Sequence, residues 1–507
     1  MATVTTLPVV QPEHRGLAHW MDRVLKELEK VQKEPEAGAV HDLRVALRRC
    51  RSVGAVMQEV DPDCTWREMR RLPKKLFRRL GALRDAQVMD EWVRKLAVGG
   101  DSVRTQMHLA FQKDEPELRQ RALRAAEKFD EKTWKRLERK LAKRARLVPP
   151  GSLAAECLAV ERFEEAKELH TKALRTENPK AWHQLRIGLK RLRYTVESLL
   201  PQQYAVWSDN LKRLQDLLGE VHDLDVLAAM VKETASPETV DARNTWEETI
   251  GHERSQRIDR YRQLTLGKTS IWNDWRHGLP QGKRLGLAAM ARLRVTARAT
   301  DRHPQRTVQV SRIAVGAFDA FRRARAAPAF GERTMRRVLR AAARLHGASG
   351  TQQARSRQKA ALRFLRKLPM PPSWTLEEWE LLAWTVRYHR GAEPDPDAGA
   401  FRRVTEEQQR NVRALAGVLR LARALRKCGV DVWTGMRAEK SADAVILHVP
   451  GLTDSVETAA RLAAGKHLLE TYLGKALILK PAPENANVVA LLAQFQTHHQ
   501  ASAAASD

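Results

Sequence analysis

Acidic residues are in short supply: 61 Asp and Glu stand against 90 Lys and Arg, a formal charge of +29 over 507 residues, with a pI near 10.4. A field of one sign this strong repels itself unless a partner neutralises it. It points to a polyanion: nucleic acid, anionic membrane or polyphosphate. Cysteine is nearly absent. Cys50, Cys64, Cys157 and Cys428 are scattered, with no CxxC pair, which argues against a disulfide framework or a cysteine zinc site and implies thiols in a reducing compartment. No stretch approaches the roughly 20 apolar residues of a membrane span. Glu13, His14 and Arg15 stand where a secretory signal needs an apolar run, so the expected location is cytoplasmic. Strand-like alternation is missing before about residue 428, which leaves a mainly α chain. Its length is too great for one core and implies two or three domains, and 43% hydrophobic residues suffice to build them.

What the chain does have is a repeated cationic helix. His41 is followed by Arg44, Arg48, Arg49 and Arg51, and His183 by Arg186, Lys190, Arg191 and Arg193, at identical offsets. On a helix, offsets 0, 3, 7 and 10 fall in one stripe. His41, Arg44, Arg48 and Arg51 therefore share a face, as do His183, Arg186, Lys190 and Arg193. Leu43, Leu47 and Cys50 supply an apolar side in the first copy; Leu185, Leu189 and Leu192 do so in the second. One such helix alone reads as a solvated basic face. A filler surface has no reason to keep the same offsets twice. Each ladder is also followed by a second echo, Leu80-Gly81-Ala82-Leu83-Arg84-Asp85 and Leu218-Gly219-Glu220-Val221-His222-Asp223. This order implies a duplicated helical unit whose halves pack about a pseudo-two-fold axis, bringing the ladders together. Arginine is abundant in them, and its planar fork suits phosphate oxygens. Asp85 and Asp223 are read as orienting ladder arginines.

Apolar periodicity predicts helices over about 12–33, 40–60, 65–96, 102–111 and 115–146 in the first half. In the second half it predicts 153–176, the second ladder up to 200, 207–233 and 239–264. Glycine and proline between 265 and 307 imply a linker enclosing one helix at 285–297. Helical periodicity resumes near Val308. Past 428, Val430–Trp433, Ala444–His448 and Ala476–Leu479 read as strands around a helix over 454–473. The end is rich in Ala, Asn, Gln and Ser and is expected to be a disordered tail, in which His498 and His499 make a weak metal site.

The paired His-x-x-Arg-Val-x-x-Arg-Arg-x-Arg and His-x-Leu-Arg-Ile-x-x-Lys-Arg-Leu-Arg-Tyr segments, with their Leu-Gly-x-x-Arg/His-Asp followers, resemble the CHAD family of histidine-bearing α-helical domains. The resemblance covers residues 10–265, with halves of about 10–148 and 152–265. It implies two antiparallel helical bundles around a basic groove that binds inorganic polyphosphate. By motif position it implicates His41, Arg44, Arg48, Arg49, Arg51, Arg84, His183, Arg186, Lys190, Arg191, Arg193, Tyr194 and His222. Lys74, Arg78 and Lys212, on the helices after the ladders, join the candidate set. The Glu-x-Glu-x-Lys strand of the triphosphate tunnel domains that often accompany CHAD domains is absent.

Farther on, Arg337–Gly350, Leu381–Gly391 and Val412–Arg426 together resemble the C-terminal HD-type region of the exopolyphosphatase and guanosine-pentaphosphate phosphohydrolase family. Here the departures are informative. Gly347 follows His346 where the Asp of a metal-binding His-Asp pair would sit, and Arg423 stands where the pattern places a late Asp. Divalent cations want imidazole and carboxylate donors, so these cations would repel a metal and attract phosphate. His346, Arg387, His389 and Arg423 are therefore candidates for a second phosphate site, against a plainer reading as packed scaffold residues. The family's N-terminal actin-like catalytic domain has no counterpart in this chain.

The expected plan is mainly α. Duplicated helical bundles span 10–265, a linker 266–307, a degenerate HD-like helical domain 308–430, a small α/β appendage 431–480 and a tail 482–507. The expected function is non-enzymatic polyphosphate binding without cofactor or metal. Association with polyphosphate granules and partnership with polyphosphate-metabolising enzymes are its expected consequences. Nucleic-acid binding is the alternative, weakened by the few aromatics among the ladders, Tyr194 excepted. A phosphohydrolase comes third, since no Walker loop, paired-carboxylate motif or intact HD set is present.

Overall fold

The computed structural model describes residues 16–96, 102–234, 240–348, 357–397, 399–453 and 455–482. Two compact units divide the chain, 1–295 (with 371–373) and the remainder from 296. The division falls inside a helix.

The first unit realises the duplication as helices. Its first half is α1 (Leu17–Lys33), α2 (Ala37–Val60), α3 (Cys64–Arg71), α4 (Lys74–Leu96) and α5 (Ser102–Glu127). The second repeats the plan with α7 (Leu153–Thr176), α8 (Pro179–Leu199), α9 (Pro201–Thr234) and α10 (Val240–Thr265). Between them α6 (Glu131–Ala145) packs back on α1 and α3. Its Trp134 is fully buried and donates its indole N–H to the Met21 carbonyl at 3.0 Å. The apolar sides read from the ladders are the ones buried: Leu43, Leu47 and Cys50 on α2, and Leu185, Leu189 and Leu192 on α8.

In the second half α9 begins at Pro201, six residues before the expected start, and in the first half three helix boundaries depart from expectation. Pro73 splits the predicted 65–96 helix into α3 and α4, because proline lacks the N–H that would continue the ladder. The predicted gap at 112–114 is helical, and α5 continues through Pro116 on its exposed stretch. The true break falls at Phe129, where the Asp130 side chain accepts the Thr133 N–H and starts α6.

The stretch expected to be a linker, 266–307, is helical instead. It holds α11 (Ile271–His277) and all of α12 (Gly282–Thr300), and α13 (Pro304–Arg323) begins within it. Trp272 and Trp275 of α11 are fully buried in the core of the first unit, 5.2 Å apart edge to face. Glycine and proline around α11 mark the ends of a short helix there, and the tryptophans between them were the overlooked signal. The last residues of α12 in this unit are tied down by Arg292, whose Nε lies 2.9 Å from Glu161.

The second unit is built from α13, α14 (Arg333–Leu345), α15 (Arg357–Leu365), α16 (Leu376–Tyr388) and α17 (Glu406–Lys427), followed by a small sheet and α18 (Val456–Leu473). Contact between α17 and α18 is close because each offers a glycine. A Cβ at Gly465 would meet Ala424 at 2.4 Å, and one at Gly417 would meet the Leu469 backbone at 3.0 Å. The sheet runs β1 (Arg437–Lys440), β2 (Ala444–Val449), β3 (Ala476–Pro481) in that order, antiparallel then parallel, with α18 as the crossover. Val445, Leu447 and Val449 give β2 its buried face.

Val430–Trp433 is not a strand. The Val430 N–H bonds back to the Leu425 carbonyl, and Gly429 has φ of +84°. This is the glycine-terminated end of a helix, with buried Val430 closing it. The first strand lies later, at an edge whose mostly exposed Arg-Ala-Glu-Lys carries no hydrophobic signature. The expected tail lies outside the described residues beyond 482.

Candidate functional site

The two ladders meet. Helices α2 and α8 pack on one another, and the Arg48 guanidinium donates to the Tyr194 hydroxyl at 3.2 Å across the joint. Together with α3, α4, α7 and α9 they enclose a cavity of about 980 Å³. Its cationic lining is Arg44, Arg48, Arg51, Arg70, Arg84, Arg162, Arg186, Lys190 and Arg191, against the carboxylates Glu59, Asp85 and Asp223. His183, His222 and Tyr194 complete the expected members.

Six of the expected residues lie outside the lining. His41 is exposed, as are Lys74 and Arg78. Lys212 sits in a separate shallow depression with Asp209, Arg213 and Asp216. Arg49 is turned away, paired with Glu197 and stacked 4.5 Å from the Trp20 ring. Arg193 faces the Tyr204 phenol. The last two have one geometric cause. At about 100° per residue, offsets 8 and 10 lie about 80° to opposite sides of the histidine position. The cavity takes the offset-10 side of α2, Arg51, but the offset-8 side of α8, Arg191. The copies are thus rolled differently about their axes, which repeating offsets cannot reveal.

Arg70 and Arg162 were not expected in the site. Pro73 ends the helix that delivers Arg70, which donates to Gln58 at 2.8 Å. Arg162, from α7, pairs with Glu59 and Glu165 and has no repeat partner that would have marked it. Phe77 of α4 lies under two guanidinium groups, 5.6 Å from Arg44 and 4.6 Å from Arg51, and holds both by cation–π contact.

The followers explain themselves. Asp85 lies 3.6 Å from Arg44 as an ion-pair partner, whereas Asp223 acts on Arg186 through its charge. A Cβ at Gly81 would come within 3.1 Å of the Arg44 guanidinium. Glycine there lets that arginine pass. Even so, the cavity holds more positive charge than its carboxylates neutralise. The Nη1 of Arg44 and the Nε of Arg186 are buried without a hydrogen-bond partner. Burial lowers the pKa of both guanidinium groups. Lys190 is pulled down to about 7, by burial first and then by Arg186, Arg48 and Arg44, with Asp223 opposing. His183 and His222 pair through their Nδ1 atoms at 3.3 Å. Burial followed by Arg186 lowers both, His222 to about 4. Asp223 is raised by burial despite Arg186 and Lys190. Such buried, under-neutralised donors complement the charge and acceptor oxygens of an anion.

In the second unit three of the four candidates bond to backbone carbonyls. His346 and His389 lie 5.2 Å apart, each with Nδ1 within 2.8 Å of the carbonyl three residues earlier. Burial holds His346 at about 4 and His389 well below its ordinary value. Arg423 donates to the His389 carbonyl at 3.1 Å, and Arg420 to those of Tyr388, Gly391 and Ala392. These arginines cap the C-terminal end of α16, where carbonyls lack partners. Arg387 lies over the Tyr388 ring at 4.9 Å. The Asp301 carboxylate fills the space at Gly347, 2.9 Å from where a Cβ would stand, so an aspartate after His346 would displace that side chain. Among the described residues no three His, Cys, Asp or Glu side chains gather as metal ligands, and no helix is long and apolar enough to cross a membrane.

Residues 15–232 match the family model of the CHAD domain. Among solved structures, the crystal structure of the CHAD domain from the plant Ricinus communis is similar at 21% identity and a TM-score of 0.38, over 49% of this chain and 88% of that one. No curated protein matches the chain.

Proposed function

We propose that the CHAD domain of this chain binds inorganic polyphosphate in the cavity between α2 and α8, without chemical conversion of the ligand. The observation that carries this reading is the pair of buried, unpartnered guanidinium N–H groups on Arg44 and Arg186, one from each copy of the repeat. A buried donor without a partner costs about 1–3 kcal/mol, more when charged, and an anion bound there removes that penalty. Lys190, Arg48 and Arg84 line the same space and would extend the contact along a chain of phosphates. The ligand thus supplies the negative charge that Asp85 and Asp223 only begin to supply. Retention at polyphosphate granules would follow from such binding.

The test is titration of long-chain polyphosphate and of charge-matched DNA at several salt concentrations, on wild type and on the Arg44→Glu, Arg186→Glu double variant. Polyphosphate should bind in preference to DNA. The double variant should lose that preference, with the slope of log K against log salt shallower by about 2. Equal binding of both polymers by wild type, or an unaffected variant, overturns the site and leaves a general polyanion surface.

A further inference from the structure

The cavity is not uniformly cationic. Along α8, His183 and Tyr194 are eleven residues apart, which separates the cavity ends by about 16 Å. One end is ionic: the charge of Arg70 acts on Arg51, that of Arg191 on Arg70, and Arg162 bridges Glu59 and Glu165. The other end is different. One turn past Asp85 on α4 stands Val88, one turn past His222 on α9 stands Val226, and one turn past His183 on α8 stands Ile187. Val226 is 36% exposed, although it is a β-branched aliphatic beside a charged cavity. The two imidazoles between them have centroids 4.6 Å apart, and their surroundings favour the neutral form. This end therefore presents planar rings and aliphatic side chains without net charge, while Arg44, Arg186 and Lys190 lie next to it.

A bare phosphate chain has nothing to place on such a surface, and desolvating its oxygens there would be unfavourable. A phosphate ester with a flat, weakly polar group matches both parts at once. We propose that the cavity also takes a nucleoside oligophosphate, its phosphates on Arg44, Arg186 and Lys190 and its base against Ile187 and Val226 beside the His183–His222 pair. This inference rests on the phosphate-binding reading of the same cavity and adds a ligand class to it.

Adenosine 5′-tetraphosphate and inorganic tetrapolyphosphate provide the test, by calorimetric titration on the full chain. They carry the same number of phosphates, and esterification leaves the nucleoside form with less charge, so electrostatics alone favours the inorganic chain. A contributing base reverses that order: a base contact worth about 1 kcal/mol, the low end of base–aromatic stacking, predicts about fivefold tighter binding of the nucleoside form. Val226→Asn, at an exposed position where folding tolerates it, should reduce the ratio of the two affinities. Ile187→Thr should reduce it too, from the facing helix. Tetrapolyphosphate binding as tightly as its adenosine ester, with the ratio unmoved by either variant, overturns the inference and leaves the polyphosphate reading standing. Failure of both tetraphosphates and of long-chain polyphosphate overturns the reading beneath it, and this inference with it.

Discussion

Anion binding in the proposed cavity should be a proton-linked reaction through Lys190. Its ammonium is buried against Arg44, Arg48 and Arg186, with Asp223 as the opposing charge, and its pKa falls to about 7. The lowered value means that the free folded protein disfavours the charged form. A bound polyanion favours it, so binding raises the pKa, takes up a proton and weakens as pH rises. With a free-protein value of 7, Lys190 is about 90% neutral at pH 8 and about 10% neutral at pH 6. Binding should therefore take up about 0.9 proton at pH 8 and about 0.1 at pH 6, and affinity should fall about tenfold between them. His222, at about 4, titrates below this window, and His183 is lowered as well. Calorimetry at pH 8 in two buffers of different ionisation enthalpy measures the uptake directly. Lys190→Arg keeps the charge and removes the titration, so its affinity should be flat from pH 6 to 8. Heats independent of the buffer at pH 8, or an unchanged pH slope in that variant, would refute the reasoning.

Two further outcomes test the architecture. Trp275→Ala should destabilise the first unit by about 3–5 kcal/mol, read as an earlier denaturant transition, because Trp275 is fully buried against Trp272 and Trp207; an unchanged transition would mean that α11 is no part of that core. Gly81→Ala should weaken polyphosphate binding by pressing on Arg44, whereas Gly219→Ala, with nothing within 4 Å of its Cβ, should leave affinity intact; equal effects in the two variants would contradict the role given to Gly81.

Much of the first unit was legible because duplication is a pattern of residues, and helical period converts it into faces. The buried sides of α2 and α8 follow from offsets along single helices, and Asp85, which meets Arg44, was marked by the second echo of the repeat. Helix ends were less legible. Pro73 and Val430 show why: one residue's missing donor or one left-handed glycine decides a boundary that periodicity averages over. The tryptophans of α11 belong to the same class, since glycines around a short helix look like those of a linker.

The sequence by itself determined that two cationic helices exist, that each buries its opposite side, and that arginine rather than carboxylate dominates what remains. Local spacing suffices for that, because 3.6 residues per turn fixes which side chains share a face. Only tertiary structure decided which cations serve the cavity. The roll of α2 and α8 selects Arg51 over Arg49 and Arg191 over Arg193, and packing of α3 and α7 recruits Arg70 and Arg162. The same packing buries His346 and sets Arg423 on the His389 carbonyl at the end of α16. A cation's place depends on how its helix is turned against its neighbours, and that orientation is set by the whole core at once.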